Sequence, residues 1–238
     1  MLNRHSDAAD NSLPQGVQPS GAPGRTRFFI ELLIAFLVTR IPLVSVPFKW
    51  LESYFHEVSH ALATLFSGGV VSNIQLFPNG AGLCFSQGGW PLLIGFAGYF
   101  GAALWGYLIF MFATWPKGIR LSFALLGGAV VLTIFLWARD LLTIAILASL
   151  AGLFLLPLKL QLNRFLATFL RVIALMIILN ALASPVVLLG LEGQGDANML
   201  AGESWLPAWF WVGVWLATSA LMLFLCWRRV DSAAKRRD

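Results

Sequence analysis

The sequence predicts an all-α polytopic membrane protein with six or seven transmembrane helices and a small β-hairpin. Of its 238 residues, 58% are hydrophobic and 11% are charged, whereas an ordinary soluble domain carries about 25% charged residues. A helix that crosses the hydrocarbon core needs ~20 mostly apolar residues. Five stretches without an ionisable side chain meet or approach that length: 90–114, 121–138, 141–158, 172–191 and 205–227.

These apolar stretches predict helices because lipid offers no hydrogen-bond partner to the backbone, so only helices and closed barrels cross a bilayer. The net charge of +5 does not indicate a nucleic-acid partner, since the basic residues cluster at the chain ends and between apolar runs. Cytoplasmic loops are rich in Lys and Arg. The basic segment 228–237 therefore predicts a cytoplasmic C-terminus, and the acidic stretch 192–203 is expected on the opposite side.

The polar segment 1–24 is expected to be a disordered tail, because it cannot bury enough apolar area to offset the loss of chain entropy. Residues 25–230 form the predicted transmembrane domain, and 231–238 a basic cytoplasmic tail. The apolar segment 28–48 predicts a first helix, tilted or partly buried, that contains Glu31 and Arg40. A second helix is expected after Pro47, ending before the glycine pair at 68–69.

A β-hairpin is predicted directly after this second helix. Short apolar runs at 70–77 and 83–85 flank the turn residues Pro78-Asn79-Gly80, a pattern typical of two strands joined by an Asn-Gly turn. The later spans are expected to begin near residues 90, 121, 141, 165 and 206. Six spans would place both ends in the cytoplasm, which Arg25 and Arg27 favour, whereas seven would place the N-terminus outside.

The motif His56-Glu57-x-x-His60 lies on the second predicted helix. Residues four apart share one face of a helix, so both imidazoles can bind one zinc ion. The adjacent Glu57 would then act as general base on zinc-bound water. The alternative is a chance coincidence on an ordinary helix. Ionisable residues are rare and usually functional within membrane helices, and two of the three histidines of the chain lie here, so we favour the metal site.

Around this motif the sequence resembles the site-2 protease family of intramembrane zinc metalloproteases, in its M50B-like bacterial branch. The similar segments are 55–63, which contains the motif, the Gly68-Gly69 pair, the hairpin residues 78–82, the segment 97–101 (Ala-Gly-Tyr-Phe-Gly), and a patch at 196–201 with Leu206-Pro207. The resemblance implies a Zn²⁺ cofactor, a three-helix core with an aspartate as the third ligand, and cleavage of substrate helices within the membrane.

The third ligand is less clearly indicated, because the family's usual Leu-Asp-Gly element is absent. Asp140 is the first candidate by position, with a helix boundary or a local ion pair beside Arg139 as its alternative. Asp196 is the second candidate, although the start of a short helix also accounts for it. Glu52, one turn before His56, could support a ligand imidazole or be a solvated interfacial residue.

Two further features have both functional and structural interpretations. In the resembled family, the sheet is thought to present an unwound substrate by β-strand addition. The alternative is that the hairpin shields the zinc cavity from lipid. Gly98, Gly101 and Gly106 have the spacing of close helix contacts, and packing accounts for them.

The sequence thus predicts an intramembrane zinc metalloendopeptidase with Glu57 as catalytic residue and His56, His60 and Asp140 as metal ligands. Its expected location is a bacterial inner membrane, and its expected substrate is a membrane-anchored protein. The alternative function is a non-catalytic polytopic scaffold or transport component that retains the framework of the zinc site.

Overall fold

The computed structural model describes residues 21–115, 118–160, 162–190 and 194–236. Most of the expected tail at 1–24 and part of the acidic stretch at 192–203 lie outside these residues. Within the described ranges the elements are α1 (Arg25–Thr39), α2 (Pro42–Phe66), β1 (Val70–Leu76), β2 (Gly82–Gln87), α3 (Pro91–Ala113), α4 (Ile119–Trp137), α5 (Leu141–Leu155), α6 (Asn163–Ala183), α7 (Asp196–Glu203) and α8 (Ala208–Ala234).

The predicted all-α polytopic class with one small hairpin is confirmed. Five helical segments are long and apolar enough to cross a membrane: α3, α4, α5 with the 3-10 turn that continues it to Lys159, α6 with the 3-10 turns that continue it to Gly190, and α8. The pair α1 and α2 passes the same test together but is bent by 105°. Counting this pair as one broken span gives six within the described part of the chain, and those residues contain no seventh candidate span.

The break between α1 and α2 lies five residues earlier than the sequence predicted. Pro42, not Pro47, begins α2, and Ile41 before it has extended backbone dihedrals. A proline disfavours helical dihedrals in the residue before it and is well tolerated at the first helical position, where no backbone hydrogen bond is lost. Pro47 lies inside α2.

The core is built around α3, which packs against α2 on one side and α6 on the other. Helix α8 contacts both α3 and α6, and α4 and α5 form an antiparallel pair beside them. Gly106 permits the α3–α6 contact, because a Cβ atom added there would lie 2.6 Å from Cγ1 of Ile178. The packing role expected for this glycine is therefore confirmed.

The hairpin is anchored on two sides. Strand β1 pairs antiparallel with β2 and packs against α4 and α5, where the Leu76 amide donates to the Thr143 hydroxyl over 3.0 Å. On the other side, Trp50 Nε1 of α2 donates to the Phe77 carbonyl over 3.1 Å, and the Ser53 hydroxyl donates to the Gly80 carbonyl. These bonds fix the hairpin across the middle of α2.

The two ionisable residues of the first apolar segment have separate partners. Glu31 is buried, and Nε of Arg171 on α6 donates to its Oε2 over 2.8 Å. Arg40 follows the last residue of α1 and places its guanidinium carbon 4.7 Å from the ring centroid of Phe36. Because α1 ends just before Arg40, the guanidinium group does not lie inside a continuous span. It therefore needs no buried partner.

Candidate metal centre

The α-helical spacing of His56 and His60 brings their ring nitrogens together. The two Nε2 atoms lie 2.9 Å apart, and the rings meet edge to face at 78°. Both residues are buried, as is every residue of α2 from Leu51 to Ala61. Two imidazole nitrogens at this distance can be ligands of one cation.

Asp196, the first residue of α7, completes a group of three donors. Its Oδ2 lies 3.0 Å from His56 Nε2 and 3.3 Å from His60 Nε2. Tetrahedral zinc with bonds of ~2.0–2.1 Å separates its ligand atoms by about 3.3 Å. The three observed separations are close to that value, so the residues fit a tetrahedral zinc site with one position left for another ligand.

The surroundings of the donor atoms include a backbone partner for one of the two imidazoles. His60 Nδ1 lies 2.6 Å from the Ile94 carbonyl; an N–H at Nδ1 that donates there leaves the lone pair at Nε2 for a metal. When no metal is bound and the imidazoles of His56 and His60 are protonated, their hydrogen bonds and positive charge hold the pKa of Asp196 below its usual range, although burial alone would raise it. Asp196 is therefore a carboxylate at neutral pH.

Glu57 lies beside this group and under the hairpin. It is 4% exposed, and the Cys84 backbone amide of β2 hydrogen-bonds its carboxylate. A Cβ atom added to Gly82 would lie 2.6 Å from Glu57 Cγ and 2.7 Å from its Oε1. Only a residue without a side chain allows β2 to approach the glutamate this closely.

Gly98 has a role in the site beyond the helix packing expected from the sequence. A Cβ atom added to it would lie 2.5 Å from Nε2 of His60 and 2.6 Å from Nε2 of His56. Gly101, one turn later, faces the Ser59 side chain and serves packing. The absence of a side chain at residue 98 thus leaves space for the two Nε2 atoms. The spacing of the glycines in the sequence did not reveal this role.

Asp140 does not join this group, which corrects the ligand expected first from the sequence. Its Oδ1 accepts a hydrogen bond of 2.8 Å from the Thr143 amide and caps the start of α5. Arg139 donates to the backbone carbonyls of Phe135, Leu136 and Ala138. Asp140 lies where α5 begins beside β1, whereas the donor group lies against β2. The aspartate at the donor group is Asp196, and Gly195 occupies the cap position of α7.

The donor group opens into a cavity of about 300 Å³ between α2, α3, α7 and β2. Tyr99 lies on its wall, edge-on to His56 with a centroid distance of 4.3 Å, and packs on Trp215 of α8 at 4.8 Å. A second cavity of about 200 Å³ shares His56, Glu57 and Tyr99 with the first and reaches Glu52. Glu52 is buried, not solvated, and accepts a hydrogen bond of 3.3 Å from Ser184.

Comparison with known proteins identifies the family of this chain. The family model described as Peptidase M50B-like matches residues 29–226, which include α2, the hairpin and Asp196. No curated protein and no solved structure matches the chain. The matched range covers most of the chain and all three donor residues. The chain therefore belongs to the Peptidase M50B-like family of intramembrane metalloproteases.

Proposed function

We propose that this protein is a zinc endopeptidase that hydrolyses a peptide bond of a membrane-anchored protein. The observation that carries the proposal is the triangle of His56 Nε2, His60 Nε2 and Asp196 Oδ2, with sides of 2.9–3.3 Å, beside the buried carboxylate of Glu57. Two neutral donors, one anionic donor and a neighbouring carboxylate are typical of hydrolytic zinc sites.

His56, His60 and Asp196 would hold the zinc ion. When bound there, the ion would supply Lewis acidity toward the scissile carbonyl and make water a stronger acid. The chain supplies the proton transfers. The Glu57 carboxylate accepts a proton from the attacking water and passes it to the leaving amine, while the Cys84 amide keeps the carboxylate in place.

Strand β2 is the proposed docking edge for the substrate. Strand β1 packs against α4 and α5, whereas Gly82, Leu83, Cys84 and Ser86 of β2 line the cavity of the donor group. A substrate segment unwound to an extended conformation could add to β2 by main-chain hydrogen bonds. Its scissile carbonyl would then lie close to Glu57 and the metal.

The membrane orientation follows from the basic residues at the end of α8. Arg228, Arg229 and Lys235 lie within its last turns and immediately after it, and Arg25 at the start of α1 pairs with Asp231 over 2.7 Å. We assign this end to the cytoplasm, in a bacterial inner membrane, by the excess of basic residues there. Residues 25–230 then form the catalytic domain and 231–238 a basic tail.

The proposal is tested with purified protein in detergent, by zinc analysis and by cleavage of a membrane-anchored reporter peptide. We expect about one zinc per chain, activity lost in both Glu57→Gln and His56→Ala, and zinc retained only in Glu57→Gln. Retained cleavage in Glu57→Gln would refute the assigned base. A cellular phenotype that survives Glu57→Gln but not His56→Ala would instead support the non-catalytic scaffold.

A further inference from the structure

Another polar cavity, separate from the two at the metal centre, lies at the other end of α3. Its volume is about 230 Å³, and it is formed by the segment before α1, the end of α3 at Ala113, and the first turns of α4 and α6. Gly98 and Ala113 are separated by fifteen residues of α3, or about 22 Å of helix. The proposed hydrolysis does not use this cavity.

The charged residues known to line this cavity are all arginines: Arg27 of α1 and Arg164 and Arg171 of α6. Arg171 is 2% exposed. It donates from Nε to Glu31 Oε2 over 2.8 Å and from Nη2 to Oε1 over 2.6 Å. Arg27 donates to the same Oε1 over 3.1 Å.

One carboxylate is therefore shared by two guanidinium groups, and Arg164 adds a third. Among the described residues, three arginines line the cavity and one carboxylate, that of Glu31, pairs with two of them, which leaves an excess of two positive charges. The remaining partner that Arg27 and Arg171 have in common, the Thr168 hydroxyl, is neutral. Positive charge that is partly removed from water is costly unless an anion balances it.

The ends of the candidate spans around the cavity indicate that it lies at the membrane boundary. The first turns of α1, α4 and α6 and the last turn of α3 meet there, and the Arg25–Asp231 pair joins the start of α1 to the end of α8. Phospholipid headgroups occupy this depth, and basic pockets between helices on the cytoplasmic side are suited to anionic lipids. Ala113, Ile119 and Ala167 give the same cavity an apolar wall.

We propose that this cavity binds a phosphate group, with Arg164 and Arg27 as its principal contacts and Arg171 as the buried charge behind them. Guanidinium groups bind phosphate oxygens through paired N–H donors, with a geometry that an ammonium group does not reproduce. An anionic phospholipid headgroup and free inorganic phosphate share this chemistry. The site is independent of the proposed peptidase activity.

The test is a binding titration followed by native mass spectrometry of the full chain in neutral detergent. The probes are phosphatidylglycerol, phosphatidylcholine and inorganic phosphate. We expect one tightly bound phosphatidylglycerol per chain and at least tenfold weaker binding of phosphatidylcholine, whose headgroup has no net charge. If the source is free phosphate instead, inorganic phosphate binds to the wild type and competes with phosphatidylglycerol.

Arg164→Gln should weaken binding of the phosphate probe at least tenfold, and Arg164→Lys should weaken it less. Arg164 is exposed, so these changes spare the core. The matched control is Arg229→Gln, the same charge change at an exposed position near the same end of the molecule, which should leave this binding unchanged. Equal losses in Arg164→Gln and Arg229→Gln, or no preference for the anionic probes over phosphatidylcholine, would overturn the proposal.

Discussion

At the scale of single residues, two aspartates that both stand at helix starts have opposite roles. Asp140 caps α5 through a hydrogen bond from the Thr143 amide, and Asp196 turns its Oδ2 toward two imidazoles. From the sequence, Asp140 was the favoured ligand and Asp196 the favoured helix-start residue. The assignments exchange places because Asp140 finds its donor three residues along the chain, whereas tertiary packing brings the two imidazoles to Asp196.

Asp196→Ala should lower the zinc affinity by more than about 100-fold, since even the loss of an outer-shell partner costs ~10–100-fold. Asp140→Ala should keep full zinc stoichiometry and lose about 1 kcal/mol of stability through the missing helix cap. Competition with a chromogenic chelator measures the first effect, and thermal unfolding in detergent measures the second. A normal zinc affinity in Asp196→Ala would remove this residue from the ligand set.

At the scale of elements, the site depends on how closely α3 and β2 approach α2. Gly98 gives α3 access to the imidazoles, and Gly82 gives β2 access to Glu57. In the proposed mechanism these two contacts affect different functions, because one borders the proposed metal donors and the other borders the proposed general base. Substitution of each glycine by alanine should therefore separate metal binding from catalysis.

Gly98→Ala should weaken zinc binding at least tenfold, because the new methyl group would lie 2.5 Å from His60 Nε2 and force an imidazole out of position. The control is Gly128→Ala on α4, where an added Cβ meets nothing within 4 Å; this change should be neutral or stabilise by up to ~1 kcal/mol. Zinc titration of the two variants tests the expectation, and equal affinities would contradict it.

Gly82→Ala should leave zinc bound and reduce kcat by about 100-fold, because displacement of a general base by an ångström costs that order of rate. The methyl group would lie 2.6 Å from Glu57 Cγ. Gly213→Ala on α8, where space is open, is the matched control. Reporter cleavage under zinc-saturated conditions gives kcat. An unchanged kcat would mean that β2 shifts to accommodate the methyl group while Glu57 stays in place.

At the scale of the whole molecule, a buried ion pair joins the first helix to the central bundle. Glu31 and Arg171 are each 2% exposed and are held by two hydrogen bonds. Removal of one partner leaves the other charge buried, whereas removal of both does not. The pair therefore fixes α1 on α6 at the end of the molecule opposite the metal centre.

Glu31→Gln should destabilise the protein by about 3–5 kcal/mol, because Arg171 then loses its carboxylate in a buried position. The double variant Glu31→Gln with Arg171→Met should recover most of that loss. Thermal unfolding in lipid-free neutral detergent gives the comparison. If the double variant is no more stable than Glu31→Gln alone, an unpaired buried charge is not the cause.

The membrane class, the hairpin and the proximity of His56, Glu57 and His60 on one helix followed from the sequence, because each depends on neighbours within a few residues. Apolar length predicts a span, an Asn-Gly turn predicts a hairpin, and spacing by four places two side chains on one helix face. The helix break at Pro42 was misplaced because the segment contains two prolines, and only packing decides which of them interrupts the helix.

Tertiary structure alone decided that Asp196 approaches the histidines, that Gly98 and Gly82 make room at the site, and that Glu31 pairs with Arg171. Four helices separate α2 from α7 along the chain, so no local pattern specifies which aspartate reaches the donor atoms. The packing of α7 against α3 makes that choice. Local periodicity thus determined the helix face that carries the chemistry, and contacts between distant segments determined the residue that completes it.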